Sequence, residues 1–318
     1  MQKVTIPLSI VIVLSFLVSS NPVLLAHTFS ENENALFLTM INKIKAETQL
    51  VARDFSSNTE QAQVHAKVAE GLFTQKDPVV NTTWPSEISE RNPRVTTDLL
   101  HSLNDLKTAI ASPFSNSNPS SVQSIVTNIG NLLDEAVSVR ISKDLIDNPK
   151  TQALMLANLG NDIYKNYGAA LGLPPSTIAS MGGISMPGMN MPSKGSMNMN
   201  MNGGKGMSEM NAVSDPIGTS QSPVTIKNLT AYQTAESLAA IAQQVFDKNL
   251  KPITQANATN SNSNIANYLA QLKKAIDNKS SFMNVMELVH VKLHPTLIST
   301  YNLGLSTPGM NMNRVRQE

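Results

Sequence analysis

The sequence predicts an all-α protein, two helical bundles joined by a disordered methionine-rich linker. Three observations lead there. Apolar residues make up 41% of the chain but aromatics only 4%, a supply suited to Ala/Leu/Ile/Val helix packing and poor for an aromatic-rich sandwich. Apolar positions recur at helical spacing through most of the chain beyond residue 30. Between about residues 176 and 226 that period stops, and Met, Gly, Asn, Ser and Pro take over. Such a composition buries too little apolar surface to offset the entropy of ordering. The expected organisation is therefore a signal peptide or N-terminal anchor over 1–26 and a helical bundle over 27–175. The linker over 176–226, a smaller helical domain over 227–305 and a flexible tail over 306–318 complete it.

The N-terminus opens on Met1-Gln2-Lys3 and an apolar run from Val4 to Val18, the length and flank of a signal peptide. Cleavage after Ser20 and cleavage after Ala26 both fit the small residues there, and an uncleaved anchor is the alternative. In each case the bulk of the chain is extracytoplasmic, secreted or held at the cell surface or periplasm. The expected helices then follow in order. Glu31–Phe55 places Leu36, Met40, Ile44, Leu50 and Val51 near one face. Asn58–Phe73 begins at a cap residue, Asn58 or Thr59, and aligns Ala62, His65, Ala69 and Leu72. A loop runs from Asp77 to about Pro93. Val95, Leu99, Leu103, Leu106 and Ile110 form the next stripe, and Val122–Ile146 and Thr151–Leu171 supply two more helices before LPPS at 173–176. Helical patterning resumes over Thr230–Leu250 and Asn264–Asp277, and ends with Ser281–Leu303, broken at Pro295.

The two helical blocks carry traces of a duplication. Glu135–Ser142 (EAVSVRIS) aligns with Glu287–His294 (ELVHVKLH), Asp98–Ile110 resembles Asn267–Ile276, and Tyr167–Leu173 echoes Tyr301–Leu305. Under this alignment Ser138 and Ser142 of one copy stand where the other has His290 and His294.

Net charge is +1, and no basic patch with interleaved aromatics occurs, so nucleic-acid binding has no electrostatic footprint. Cysteine is absent, which leaves an exported fold resting on packing alone, without disulfides or thiolate ligands. Four sequons, at Asn81, Asn228, Asn257 and Asn278, are acceptor sites if the host glycosylates exported proteins. No Gly-x-Ser-x-Gly, no His-Glu-x-x-His, no phosphate-cradling loop and no Cys nucleophile is present, so nothing points to an enzyme.

The chemistry concentrates in the methionines. Residues 181–210 hold nine of the 16: Met181, Met186, Met189, Met191, Met197, Met199, Met201, Met207 and Met210. A thioether is soft, neutral and never protonated at biological pH, so it ligates Cu(I) without proton competition. The Met-x-Met and Met-x-x-Met spacings let neighbouring sulfurs converge on one ion. PGMNM occurs twice, at 187–191 and at 308–312, the second time with Met310 and Met312. On these residues the segment resembles the methionine-rich stretches of exported copper-handling proteins, the periplasmic copper-resistance proteins and the outer segments of Ctr-type transporters. The resemblance covers about 30 residues plus the tail, and implies copper as the bound metal. The helical blocks are similar to uncharacterised exported helical proteins of archaea, a similarity that implies no function.

Histidine supplies a second set. At 100° per residue, Phe282, Met286, Val289 and Leu293 form the buried face of the last helix, and Met283, Glu287, His290 and His294 line its flank. Two histidines at i and i+4 have metal-ligand spacing, suited to Cu(II) or Zn, and the Met283 thioether alongside would suit copper in both oxidation states. A solvated or capping pair is the competing reading. His65 reads as a packed, hydrogen-bonded core residue and His101 as exposed. His27 would chelate Cu(II) with its own α-amine if cleavage follows Ala26, and is otherwise an ordinary residue. The expected function is extracytoplasmic copper binding, with a metal ion and a copper-receiving or envelope protein as partners. Membrane contact would come only through an uncleaved N-terminal segment. The alternative is a metal-free structural or interaction protein of the envelope, with the linker as a spacer.

Overall fold

Asparagine does much of the local work. Asn58, Asn118, Asn148 and Asn228 each precede a helix and accept from a backbone N–H in its first turn, satisfying a donor the helix itself leaves open. Proline follows at the first helical position in two of these, Pro119 and Pro149, where its missing N–H costs nothing. In a computed structural model that describes residues 28–29, 33–76, 82–111, 118–182, 223–254 and 259–306, these caps start most of the long helices of an all-α fold.

The helices are α1 (Glu33–Asp54), α2 (Thr59–Thr74), α3 (Trp84–Ser89), α4 (Pro93–Ala111), α5 (Pro119–Arg140), α6 (Lys143–Ile146), α7 (Pro149–Ala170) and α8 (Pro175–Gly182). Then come α9 (Leu229–Val245), a π-turn π1 (Phe246–Leu250), α10 (Lys251–Ile253) and α11 (Thr259–Asp277). The last run is α12 (Phe282–Met286), a second π segment π2 (Glu287–Leu293) and α13 (His294–Tyr301). A two-residue antiparallel pair, β1 (Thr28–Phe29) with β2 (Leu305–Ser306), joins the two ends of the described chain.

Packing sorts the long helices into two four-membered rings. α1, α2, α4 and α5 each touch the next, and α5 closes on α1. α7, α9, α11 and the α12–π2–α13 run do the same. Cross-helix bonds fix an antiparallel arrangement within each ring. Lys45 of α1 reaches Asp134 of α5 while Glu33 reaches Arg140. In the second ring Gln152 pairs with Asn249, and Ala170 O accepts from Lys227 N. These are up-down-up-down bundles. They meet along α1, which packs on both α7 and α9, and one hydrophobic cluster runs through both, from Ala35 to Leu303.

Two sequence expectations change in detail. The repeated segments Asp98–Ile110 and Asn267–Ile276 fall on the third helix of each ring, and Glu135–Ser142 and Glu287–His294 on the fourth. The Tyr167–Leu173 echo falls on non-equivalent places, the end of a first helix and the end of a fourth. Second, α7 sides with the later helices, so the rings divide at residues 141–148, ahead of the 175 boundary read from LPPS. The methionine-rich stretch then lies between the first and second helices of the second ring, where the first ring has only residues 55–58.

That stretch is also shorter at both ends than 176–226. α8 occupies 175–182, with Ile178 buried against Gly168 and Phe282. At the other end Val224 N donates to Lys279 O and Lys227 N to Ala170 O. Residues 183–222, like 1–27 and 307–318, lie outside the described residues. Gly172, at φ +76°, ends α7: Gly172 N donates to Ala169 O, Leu173 N to Gly168 O, and the Lys227 side chain covers the turn. Among the described residues no helix is long and apolar enough to cross a membrane.

Candidate functional site

Of the residues expected to bind metal, the structure brings His290 and His294 together and sends Met283 elsewhere. Phe282, Met286, Val289 and Leu293 are buried as the helical period demands. Met283 is exposed, and Glu287 turns outward to Lys292, 3.0 Å away. His294, expected on the same flank, is 1% exposed and lies 3.1 Å from Ala157 O through Nε2. The reason is π2. A π segment takes more residues per turn than the 100° step assumes, so positions past Glu287 rotate progressively, and the four-residue flank does not survive as one row.

The two imidazoles meet edge to face, with centroids 5.1 Å apart and planes at 90°. They extend an aromatic ladder. Phe282 stacks on Tyr164 at 4.8 Å, and Tyr164 meets His290 at 4.6 Å and 89°. Burial pushes the Tyr164 phenol up to about 12, and the hydroxyl donates to Ile178 O of α8 at 2.8 Å. Gly160 makes the room for His294: a Cβ there would stand 3.2 Å from Nε2. Gly182, the last residue of α8, lies against this ladder; its Cβ would be 3.5 Å from His290 Nε2. Met181 is half-buried beside it and packs on the core. Thus α8 brings the start of the methionine-rich stretch to His290. Met186, Met189, Met191, Met197, Met199, Met201, Met207, Met210, Met310 and Met312 lie outside the described residues, as does His27. Among the described residues no group of three or more His, Asp or Glu is placed to hold a metal, so the histidine pair alone does not make a full coordination sphere.

A second polar cluster went largely unread. His65 is fully buried, as its apolar stripe implied, and sits among groups from three helices. Its Nδ1 is 2.6 Å from Glu47 Oε2 of α1, and its Nε2 is 3.0 Å from Gln233 Oε1 of α9 and 3.8 Å from Asp54 Oδ2. Thr234 donates to Glu47 Oε1 at 2.8 Å. Gln61 of α2 lies 3.2 Å from the ring and 2.6 Å from Thr230 Oγ1. Burial alone would lower the His65 pKa. The hydrogen bond and charge of Glu47 outweigh it, with help from Gln233 and Asp54, and hold it above the ordinary histidine value. Arg53 extends the cluster to the surface, from Asp54 Oδ1 at 3.0 Å to Glu236 Oε2 at 2.9 Å. The signal was present in the sequence: Glu47 and Asp54 continue the stripe of Ile44 and Val51, at core positions where an acid needs a partner.

A third buried ion group is internal to the first ring. Arg140 donates to Glu87 through Nε and Nη2 at 2.9 and 2.8 Å, pairs with Glu33, and lies over the rings of Phe37 and Trp84. It closes α5 onto α1 and α3. His101 is exposed, as expected, and pairs with Asp105. Comparison of the chain with protein-family models, curated proteins and solved structures found no match.

Proposed function

We propose that this is an extracytoplasmic copper-binding protein that chelates Cu(I) for storage or delivery through its methionine-rich segments, without catalysis. The observation that carries the reading is the methionine spacing. Met-x-Met and Met-x-x-Met runs recur across 181–210, and PGMNM returns at 308–312. Sulfur is the one soft donor available to an exported chain with no cysteine, and soft donors select Cu(I). The placement of the stretch agrees with such a role. Both its ends are fixed to the second ring, through α8 on α7 and through the bonds of Val224 and Lys227. A tethered stretch keeps many thioethers at high effective concentration around one ion. His290, beside Gly182, is the described imidazole nearest that stretch's start, and it is the residue we assign to Cu(II) or to a mixed sulfur and nitrogen site with Met181.

The test is competition for Cu(I) between the mature protein and a colorimetric chelator. The protein should compete at about micromolar affinity or better. Changing the methionines of 181–210 to leucine should remove most of that capacity. Cu(I) affinity of a His290→Ala variant should stay flat between about pH 5 and 8, because thioethers do not titrate. A wild-type protein that cannot compete, or a leucine variant that competes equally well, would return the stretch to a spacer and favour the metal-free envelope role.

A further inference from the structure

The two rings share a polar seam. Apolar residues fill much of the α1–α9 contact, yet Glu47, Asp54 and His65 stand in it, exposed by 1%, 5% and 0%; Lys43 of α1, on the α7 side, is held by Asp162. Glu47 and Asp54 come from α1 and His65 from α2, all in the first ring. Thr230, Gln233 and Thr234 come from α9, in the second. Buried charges of this kind cost desolvation free energy unless each is paired, so the protonation state of the single imidazole decides whether the seam is satisfied.

With both ring nitrogens protonated, Nδ1 donates to Glu47 and Nε2 to Gln233 Oε1. Gln61, whose Nε2 donates to Thr230 Oγ1, then turns its amide oxygen to the ring and accepts from the Thr230 hydroxyl instead. Asp54, 3.8 Å from Nε2, gains an opposite charge in addition to Arg53. With only Nδ1 protonated, Gln61 Nε2 donates to the ring, Nε2 and Gln233 Oε1 are two acceptors 3.0 Å apart, and Gln233 has to reverse its amide or turn away. Glu47 is then a buried carboxylate with no cation beside it. Of the titratable groups of α9, Glu236 is held by Arg53 and Tyr232 donates to Ile276 O. Lys107, the cation of α4 that reaches α2, is held by Glu70.

We propose that this seam is a proton-operated latch. Imidazolium at His65 holds α1 and α2 of the first ring to α9 of the second, and loss of its proton loosens the first turns of α9, the helix that begins where the methionine-rich stretch returns. The sign follows from the direction of the shift. A histidine held above its ordinary value stabilises the closed seam fully below the unfolded value, and that stabilisation is lost as pH rises through the folded value. The latch does not depend on copper.

Histidine NMR and amide exchange corrected for intrinsic pH dependence test it on the full mature chain. The His65 ring should titrate at a higher pH than model histidine. Protection of residues 229–236 should fall with the same midpoint, by about tenfold per unit of pKa elevation, while α4 and α5 keep theirs. H65Q should show weak α9 protection that no longer changes with pH. In E47Q, which retains the ring, the His65 midpoint should move down, and the loss of α9 protection should move with it. The proposal is overturned if α9 protection follows α4 and α5 at every pH, or if its pH dependence survives in H65Q. It is equally overturned if the E47Q exchange midpoint stays where the wild type has it.

Discussion

Gly160 shows how much one missing methyl can decide. It lies on α7 where His294 crosses, and its Cβ position is 3.2 Å from Nε2, 3.6 Å from Leu293 and 3.6 Å from Val289. Gly160→Ala should cost about 1 kcal/mol net in urea titration, the overpacking against the His294 ring less the helix propensity that alanine adds. Combining it with His294→Ala should cost less than the sum, since the crowding partner is gone; strict additivity would mean the pair does not crowd. Residue-scale legibility was uneven for a physical reason. His65 could be placed in the core because its neighbours at helical spacing are apolar. Its partners Gln233 and Thr234 are distant in sequence, and only the closure of α9 on α1 brings them near. His294 was misplaced because the rotation of π2 accumulates along the helix and leaves no mark in the local pattern.

Long helices were readable at the level of elements, and short ones were not. α3 and α8 fell in spans read as loop and linker, since six or eight residues show barely two turns of period. α3 is held by the Thr83 cap and by burial of Trp84 and Ile88, and α8 by Ile178 and the Tyr164 hydroxyl. The run read as one helix over 122–146 ends at Arg140, where Ile141 turns extended and is itself buried. Proline misled in the opposite direction. Pro295 was expected to break the last helix, yet α13 continues through it. Both π segments come just before a proline, Pro252 and Pro295. The wider turn shifts the preceding carbonyls that an α-helical proline ring would strike. The methionine-rich stretch makes an element-scale prediction of its own. Replacing 183–222 by about ten Gly and Ser residues should leave circular dichroism unchanged and raise stability by about 1 kcal/mol, two doublings of loop length removed. Loss of the folded signal would mean the stretch contributes packing.

Taken whole, the molecule is two rings on one core, and that predicts how it comes apart. Trp84, the single tryptophan, lies in the first ring, 1% exposed, whereas far-ultraviolet dichroism reports the helices of both. At pH below the His65 midpoint the two signals should trace one denaturation curve, as a continuous core requires. Separate midpoints would show rings that unfold independently. The short motifs matched between the two blocks fall on the third and fourth helices of each ring, and the likeness does not extend to the first two. The division of the rings was not, because a proline-rich end to α7 looks the same whether the next element starts a new bundle or continues the old one.

The place of the methionine-rich stretch also sets an order of assembly. The first hairpin of the first ring closes across residues 55–58, while its counterpart, α7 on α9, must close across residues 171–228. On loop entropy alone that later closure is harder by about 2 kcal/mol. α7 carries buried positions over most of its length, from Thr151 to Ala170, and emerges with its own partner still far behind it in the chain. α1 is already there. The first ring thus offers α7 a surface to pack on before α9 is reached along the chain.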